Sequence, residues 1–431
     1  MTYGDAKMRA LLISANMEQI NMPVLPFGPA CVVSAAQQAG HDVTLVDLMF
    51  ESDVNAVLGE AIAALRPECI GISVRNIDDQ NSEAPQFLLR DIRDVIASCR
   101  TLSDAPVVVG GAGYSIFPES ALGYLEADMG IAGEGEAAFP MLLSYLECGK
   151  DVAEIPGLHI RGGRVCKPRA HIQQLDAFEL PKPELLAVSA NKNPDPWMPV
   201  QTRRGCPFHC TYCTTPTIEG AHLRKRRPEQ VVAWLRDWVA AGYRNFFFVD
   251  NTFNFPPSYA KELCRLMIAN KLDIQWQGII YPQKVDAELV QLMAEAGCVH
   301  VSLGFESGCE RMLRNLDKHF TPEEVRVIAA RLGDCGIERM GFLLLGAPGE
   351  TRESVEESLA FADSLSLEML SVTPGVRICP DTPLAITAAA NGAVSRQDNL
   401  LYPRFYLEDN VAEWLPTYLK QWAAERPYVL L

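Results

Sequence analysis

Short apolar runs alternate with amphipathic stretches twice along this chain, with an irregular interval between the two series. In the first series strands are predicted over residues 10–14, 42–47, 69–73, 106–110 and 129–132, with helices over 29–39, ended by Gly40, and 53–65. Continuous apolar strands separated by helices are buried on both faces, which predicts a doubly wound parallel, Rossmann-like sheet over residues 1–150. Over 151–198 the alternation fails. Prolines at 156, 168, 181, 183, 194 and 196, and again at 199, break any long helix, and Gly162 and Gly163 suggest a hairpin turn. This interval reads as a linker. The second series places strands at 246–249, 274–280, 299–303, 340–345 and 370–373, separated by helices such as 228–241 and 352–365. With one strand ahead of Cys206 these make six β/α units, a partial (β/α)6 barrel over 199–382. Residues 383–431 read as a helical tail, in which Trp414, Tyr418 and Trp422 share one face.

Composition narrows the class. At 431 residues the chain exceeds one ordinary core. It is 48% hydrophobic, yet no apolar run approaches the roughly 18 residues of a spanning helix. The first residues lack the basic-then-apolar order of a signal peptide, so a cytoplasmic location is expected. A net charge of −16 argues against nucleic acid as partner. The one basic cluster, residues 224–227, reads as a site rim or a solvated face. Thirteen cysteines, many of them single within apolar runs (Cys31, Cys69, Cys99, Cys148), read as buried free thiols of a reducing compartment.

Three cysteines break that pattern. Cys206, Cys210 and Cys213 form C-x3-C-x2-C within RGCPFHCTYC, residues 204–213. Four thiolates would close a [4Fe–4S] cluster, whereas three leave one iron open to a small molecule. A structural zinc site would need a fourth ligand at suitable spacing, and no paired second half follows. In barrels and doubly wound sheets the sites lie at the carboxyl ends of strands. Polar or glycine-rich segments fall there: the loop 16–27, then 73–76, 110–113, 133–136, 250–254, 306–308, 346–351 and Arg377. No G-x-G-x-x-G follows the first strand, which disfavours a nicotinamide cofactor.

The triplet resembles the signature of the radical S-adenosylmethionine superfamily, whose members bind that cosubstrate at the open iron. The resemblance extends to FESG (305–308) and LGAPGET (345–351). It implies Tyr212 and the turn around Gly346 and Pro348 against the adenine, and Glu306 with Ser307 near the ribose and methionine part. The first domain resembles the cobalamin-binding domain of the cobalamin-dependent members, through GISVRNID (71–78), VVGGAG (108–113) and GIAGEGE (130–136). By that resemblance Ser73, Arg75, Asn76, Gly110, Gly111, Gly133 and Glu134 border cobalamin, and the loop 16–27 faces the corrin. The D-x-H-x-x-G run that supplies a cobalt ligand in many cobalamin proteins is absent, so a histidine-ligated mode is not expected. GVRICPDTP (375–383) departs from the subgroup at Cys379 and Asp381, leaving Cys379 a weak catalytic candidate.

The resemblance implies reductive cleavage of S-adenosylmethionine to a 5′-deoxyadenosyl radical, with electrons from an external flavodoxin- or ferredoxin-type donor. Methyl transfer to an unactivated carbon or phosphorus of a small molecule or lipid precursor is the leading expectation. A radical cyclisation or rearrangement without methyl transfer, and a non-catalytic iron–sulfur and cobalamin sensor, stay open as alternatives at this point.

Overall fold

The computed structural model describes residues 7–19, 22–165 and 167–431. Ile20 and Asn21 of the loop 16–27 therefore lie outside the described residues. The chain divides into two compact units. The first takes in the described residues up to Asp79, then Gln86–Pro199 and Thr217–Gly220; the second takes in Gln80–Pro85, Val200–Pro216 and Ala221–Leu431.

The first unit is built on a sheet that counts seven strands among the described residues: β1 (Arg9–Ser14), β2 (Asp42–Asp47), β3 (Cys69–Ser73), β4 (Val107–Gly110), β5 (Met129–Ile131), β6 (Leu158–Ile160) and β7 (Arg164–Val165). Their order is β2-β1-β3-β4-β5-β6-β7. β1 to β5 run parallel, as their unbroken apolar sequences require, with Leu11 beside Thr44 on one side and Ile70 on the other. Around them lie α1 (Phe27–Gln38), α2 (Val54–Leu65), α3 (Leu89–Leu102), α4 (Ala112–Ile116), α5 (Pro118–Leu125), α6 (Gly135–Glu147) and α7 (Pro183–Lys192). Leu12, Val33, Val108, Phe139 and Leu142 form the centre of one core. Gly71 lies close against it: a Cβ would stand 2.5 Å from Leu12 Cδ1. Asp53 starts α2 by accepting from Ala56 N at 2.9 Å.

Two expectations change. The sheet does not stop at five strands, because β6 and β7 add to it antiparallel through the turn at Gly162 and Gly163. Residues 151–198 are accordingly no free linker: Ile155, Leu158, Leu175 and Leu186 are buried in the first unit. Strands of two or three residues are too short to carry a readable period. Cys31, Cys69 and Cys99 are buried as expected, but Cys148 is exposed, one residue past α6.

β8 (Met198–Val200) spans the division, only its last residue falling in the second unit, and is followed by a short antiparallel ribbon of β9 (Arg203–Arg204) and β10 (Arg224–Lys225). The cysteine loop and α8 (Thr215–Glu219), whose residues from Thr217 on count with the first unit, lie between these strands in sequence. Then come α9 (Pro228–Ala240), β11 (Asn245–Phe248), α10 (Pro257–Ala269), β12 (Gln275–Ile280), α11 (Ala287–Glu295), β13 (Cys298–Glu306), α12 (Glu310–Asn315), α13 (Pro322–Asp334), β14 (Glu338–Leu345), α14 (Arg352–Ser364) and β15 (Met369–Pro374). β11 to β15 pair in parallel in chain order, with β8 on the outer side of β11. This is the expected six-unit partial barrel. After β15 comes β16 (Val376–Arg377), and the tail adds more than helices: α15 (Pro383–Ala390), β17 (Phe405–Tyr406), α16 (Asp409–Ala412), α17 (Leu415–Ala424) and β18 (Val429–Leu430). β17 pairs with β16, and β18 joins the barrel sheet parallel to β15. Trp414 caps α17 and meets the Tyr418 ring edge-on at 5.3 Å, with the Arg352 guanidinium 4.1 Å above it. All three aromatics of the stripe are half-buried, while the buried residues of α17 are Leu415 and Leu419. Among the described residues no helix is long and apolar enough to cross a membrane.

Candidate functional site

The cysteine loop leaves the sheet through a braced base. Asp250, following β11, is fully buried and accepts from Thr202 N at 2.7 Å, Thr202 Oγ1 at 2.6 Å and Arg203 N at 3.0 Å. Arg203, 1% exposed, returns an ion pair at 3.2 Å and donates to the carbonyls of Phe253 and Phe255 at 2.7 Å each. A buried ion pair needs such additional hydrogen bonds to offset its desolvation. Asn254 is equally committed, bonded to both polar backbone groups of Tyr281 and to the Gln283 carbonyl. Asp250 and Asn254, which by position could have faced a ligand, are instead committed within the barrel.

Gly205, at φ 87°, turns the chain into that loop. Phe208 then stacks on Tyr281, centroids 3.8 Å apart, and Thr211 N donates to Leu316 O at 3.2 Å. Cys213 receives an N–H from Thr215 at 3.5 Å, and its sulfur lies 3.3 Å from Thr215 Oγ1. Donors of this kind around thiolate sulfur belong to the usual surroundings of iron–sulfur clusters. Among the described residues no three His, Cys, Asp or Glu side chains stand close enough to share a single metal ion. A four-iron cluster spreads its ligands farther than one ion does, and three thiols on one braced loop fit it. Burial pushes the Cys206 thiol up to about 11 and raises that of Cys210, while the ammonium of Lys318 opposes both shifts. Iron binds cysteine as thiolate, so cluster binding would release protons from these side chains.

Beside the loop the structure gathers two expected residues and one the sequence reading missed. Glu306 ends β13 in the left-handed region, φ 61°, where the register with β14 shifts. That conformation costs a non-glycine residue about 1–2 kcal/mol. Its carboxylate meets Lys318 Nζ at 3.2 Å, and the two side chains are only 14% and 5% exposed. The ammonium also lies 5.3 Å from the Tyr212 ring centroid and 5.8 Å from that of Tyr281. Burial, then the Glu306 charge, raise the Tyr212 phenol well above its ordinary value. Burial would lower Lys318, but Glu306, followed by Tyr212 and Cys210, outweighs it and holds the ammonium well above the usual lysine value.

Other expected residues are engaged within the protein. Ser307, 1% exposed, shares a 2.8 Å hydrogen bond with Ser358 and accepts from Cys309 N. Gly346, at φ 90°, donates its N–H to Glu350 at 3.1 Å and accepts from Glu408 N at 2.9 Å, while Pro348 O accepts from Asn315. Arg377 is buried against the carbonyls of Leu400 and Leu401. Cys379 is partly exposed, and its carbonyl accepts from Thr382 Oγ1 at 2.7 Å. In the basic cluster Arg224 and Arg226 are buried and Lys225 and Arg227 exposed, so only half of that run is a solvated face.

In the first unit the glycines allow a close fold-back behind β3. Val74 N donates to Gly110 O at 2.7 Å, and Gly113 N reaches the carbonyls of Val74 and Arg75. Gly111, φ 104°, has no space for a side chain, since a Cβ would lie 2.6 Å from Val74 O. Gly110 differs: the nearest atom to a Cβ there is Ile131 O at 3.5 Å. Gly110 pairs with Ser73 across β3 and β4; Ser73 and Asn76 are partly exposed and Arg75 is exposed. Gly133 N donates to Ser115 Oγ at 2.9 Å, and Glu134 accepts from Ile172 N at 2.6 Å.

Residues 200–362 match the radical SAM superfamily model and residues 13–143 match the B12 binding domain model. The two units thus define an enzyme with a cobalamin-binding domain ahead of a radical S-adenosylmethionine domain. Among curated relatives, an uncharacterized methyltransferase of Pyrococcus horikoshii is 27% identical, covering 82% of this chain and 77% of its own. The tryptophan 2-C-methyltransferase of Streptomyces laurentii is 23% identical over 87% of this chain and 74% of its own. Among solved structures, the radical S-adenosylmethionine methyltransferase TsrM of Kitasatospora setae, with cobalamin and [4Fe–4S] cluster bound, superposes with a TM-score of 0.88 at 23% identity, covering 98% of this chain and 92% of that one. The chain belongs to the cobalamin-dependent radical S-adenosylmethionine enzymes, and its cofactors are a [4Fe–4S] cluster, S-adenosylmethionine and cobalamin.

Proposed function

We propose that this enzyme transfers a methyl group from S-adenosylmethionine to an unactivated carbon or phosphorus of a small molecule or lipid precursor. The observation that carries the reading is the braced three-thiol loop beside Tyr212, Glu306 and Lys318, in a chain that also holds a cobalamin-binding unit. When bound, the cluster supplies one-electron reduction and cobalamin supplies methyl-carrying capacity. Cys206, Cys210 and Cys213 would hold the cluster through their thiolates. Glu306 offers a carboxylate to its methionyl or ribose part, and Tyr212 an aromatic face. Ser307, Gly346 and Pro348 shape that pocket by packing, since their polar groups are already engaged. Ser73, Arg75, Asn76, Gly110, Gly111, Gly133 and Glu134 border cobalamin. The relatives support methyl transfer as the outcome, for they include methyltransferases of tryptophan and of cytidylyl-2-hydroxyethylphosphonate and a hopanoid C-3 methylase. An external one-electron donor of flavodoxin or ferredoxin type supplies electrons in the cytoplasm. The net charge of −16 suits neither nucleic acid nor an anionic membrane as partner.

The test is anaerobic reconstitution with iron, sulfide and hydroxocobalamin, followed by desalting. Incubation with methyl-labelled S-adenosylmethionine and candidate small molecules follows. Retained corrin absorption and label in a product are expected. A chain that takes up iron but retains no corrin, or that passes label to no acceptor while rearranging one, would refute the methyl-transfer reading.

A further inference from the structure

Lys318 has no part in the cysteine motif, yet its ammonium occupies the centre of the group that surrounds the loop. It is held from three directions: by the Glu306 carboxylate at 3.2 Å and by the faces of Tyr212 and Tyr281. The placement is built rather than incidental. Lys318 N donates to Leu313 O at 2.9 Å, the adjacent Asp317 takes a left-handed φ of 56°, and His319 N donates to the Tyr281 hydroxyl at 2.8 Å. The same Tyr281 ring carries Phe208 of the cysteine loop, so the backbone on both sides of the lysine is tied to the loop's support. A lysine tethered at the surface would be hydrated and its charge screened. This one is 5% exposed and lies over the ring of Tyr212, the residue between Cys210 and Cys213, so its field acts on the loop through protein.

Resting on the cluster assignment above, we propose that Lys318 is a positioning residue for the cluster: a fixed buried cation that holds the Glu306 carboxylate in place and favours the reduced cluster. The reasoning is electrostatic. Reduction adds one negative charge within the cysteine loop, and the potentials of such clusters follow net charge, hydrogen bonding to sulfur and exposure. A buried cation held over Tyr212, within the cysteine loop, stabilises the added electron. Glu306 opposes it and is partly neutralised by the same ion pair.

Two single variants separate this from a merely structural salt bridge, because both break the same pair with opposite effects on charge. Without S-adenosylmethionine, the reconstituted enzyme and its K318M, K318R and E306Q variants are titrated with mediators, and the reduced cluster is followed by electron paramagnetic resonance. K318M is expected to lower the reduction equilibrium constant about tenfold, a shift of about 59 mV for one electron. E306Q is expected to raise the potential, and K318R to stay near the parent. Should K318M fail to retain iron, E306Q carries the test by the sign of its shift and K318R by staying near the parent, and an E306Q potential at or below the parent's would overturn the proposal. K318M and E306Q moving in the same direction, or neither moving, would overturn the proposal while leaving the cluster in place. A parent protein that binds no cluster would overturn the assignment beneath it as well.

Discussion

Phe208 lies flat on Tyr281, with ring centroids 3.8 Å apart and planes inclined by 13°. The first belongs to the cysteine loop and the second follows β12, so one aromatic stack fastens the loop to the barrel. Phe255 adds an edge contact to Phe208 at 4.9 Å. Replacing a buried phenylalanine by alanine costs about 3–5 kcal/mol. Phe208→Ala is therefore expected to weaken the loop's support and bind less iron and sulfide per chain, whereas Phe208→Leu keeps most of both. Metal analysis after reconstitution checks this, and full iron uptake by the alanine variant would count against the stack as the loop's anchor.

The ion pair beneath the loop gives a second expectation. Arg203 and Asp250 are almost wholly buried. Asp250→Asn preserves shape but leaves the guanidinium without its counter-charge, a loss of about 3–5 kcal/mol. Glu323→Gln, which breaks the exposed pair with Arg326 on α13, should change stability by about 0.5 kcal/mol or less. Urea unfolding midpoints compare the two directly. Equal effects would mean the buried pair is solvated in solution.

Most strands were legible because each is an apolar run long enough to show its character, and the cysteine triplet because its ligands are local in sequence. Other features depend on what arrives from elsewhere. β6, β7 and β18 contain two or three residues each and exist because a sheet edge accepts them. Lys318 stands 12 residues from Glu306, and only the folding of α12 back to the strand end brings them together. The available signal was a lysine closing a short helix after a strand-end glutamate. Asp250 shows the converse: a polar residue at a strand end marks a place, not whether its side chain faces a ligand or the base of the loop.

A pH dependence is expected from Glu350. It is 1% exposed at the turn after β14, where it accepts from Gly346 N and from Ser354 Oγ. Burial raises its carboxyl above the ordinary glutamate value, with those hydrogen bonds opposing. The folded state therefore binds this proton more tightly than the unfolded chain. The linked stability is fully present below the ordinary glutamate pKa and is lost as pH rises through the raised value. Glu350→Gln stays neutral throughout and should remove that part of the slope. Urea midpoints measured at stepped pH for parent and variant should converge at the acidic end and diverge above it. Parallel curves would mean that Glu350 titrates as it does in the unfolded chain.

The two adjacent glycines at the end of β4 separate a folding requirement from a ligand requirement. At Gly111 a side chain would meet Val74 O at 2.6 Å on a backbone at φ 104°, so Gly111→Ala strains the fold-back itself. A residue forced into such a region costs of order 1–3 kcal/mol, before the steric contact is added. At Gly110 the nearest atom to a Cβ is 3.5 Å away and the backbone is unstrained, so Gly110→Ala should leave the unfolding midpoint of the cofactor-free protein nearly unchanged. If Gly110 borders cobalamin, that same variant should lose corrin on desalting while Gly111→Ala loses both corrin and stability. Corrin absorbance after gel filtration, read beside the urea midpoint, distinguishes them. A Gly110→Ala protein that keeps its full corrin would move the cobalamin boundary away from the end of β4.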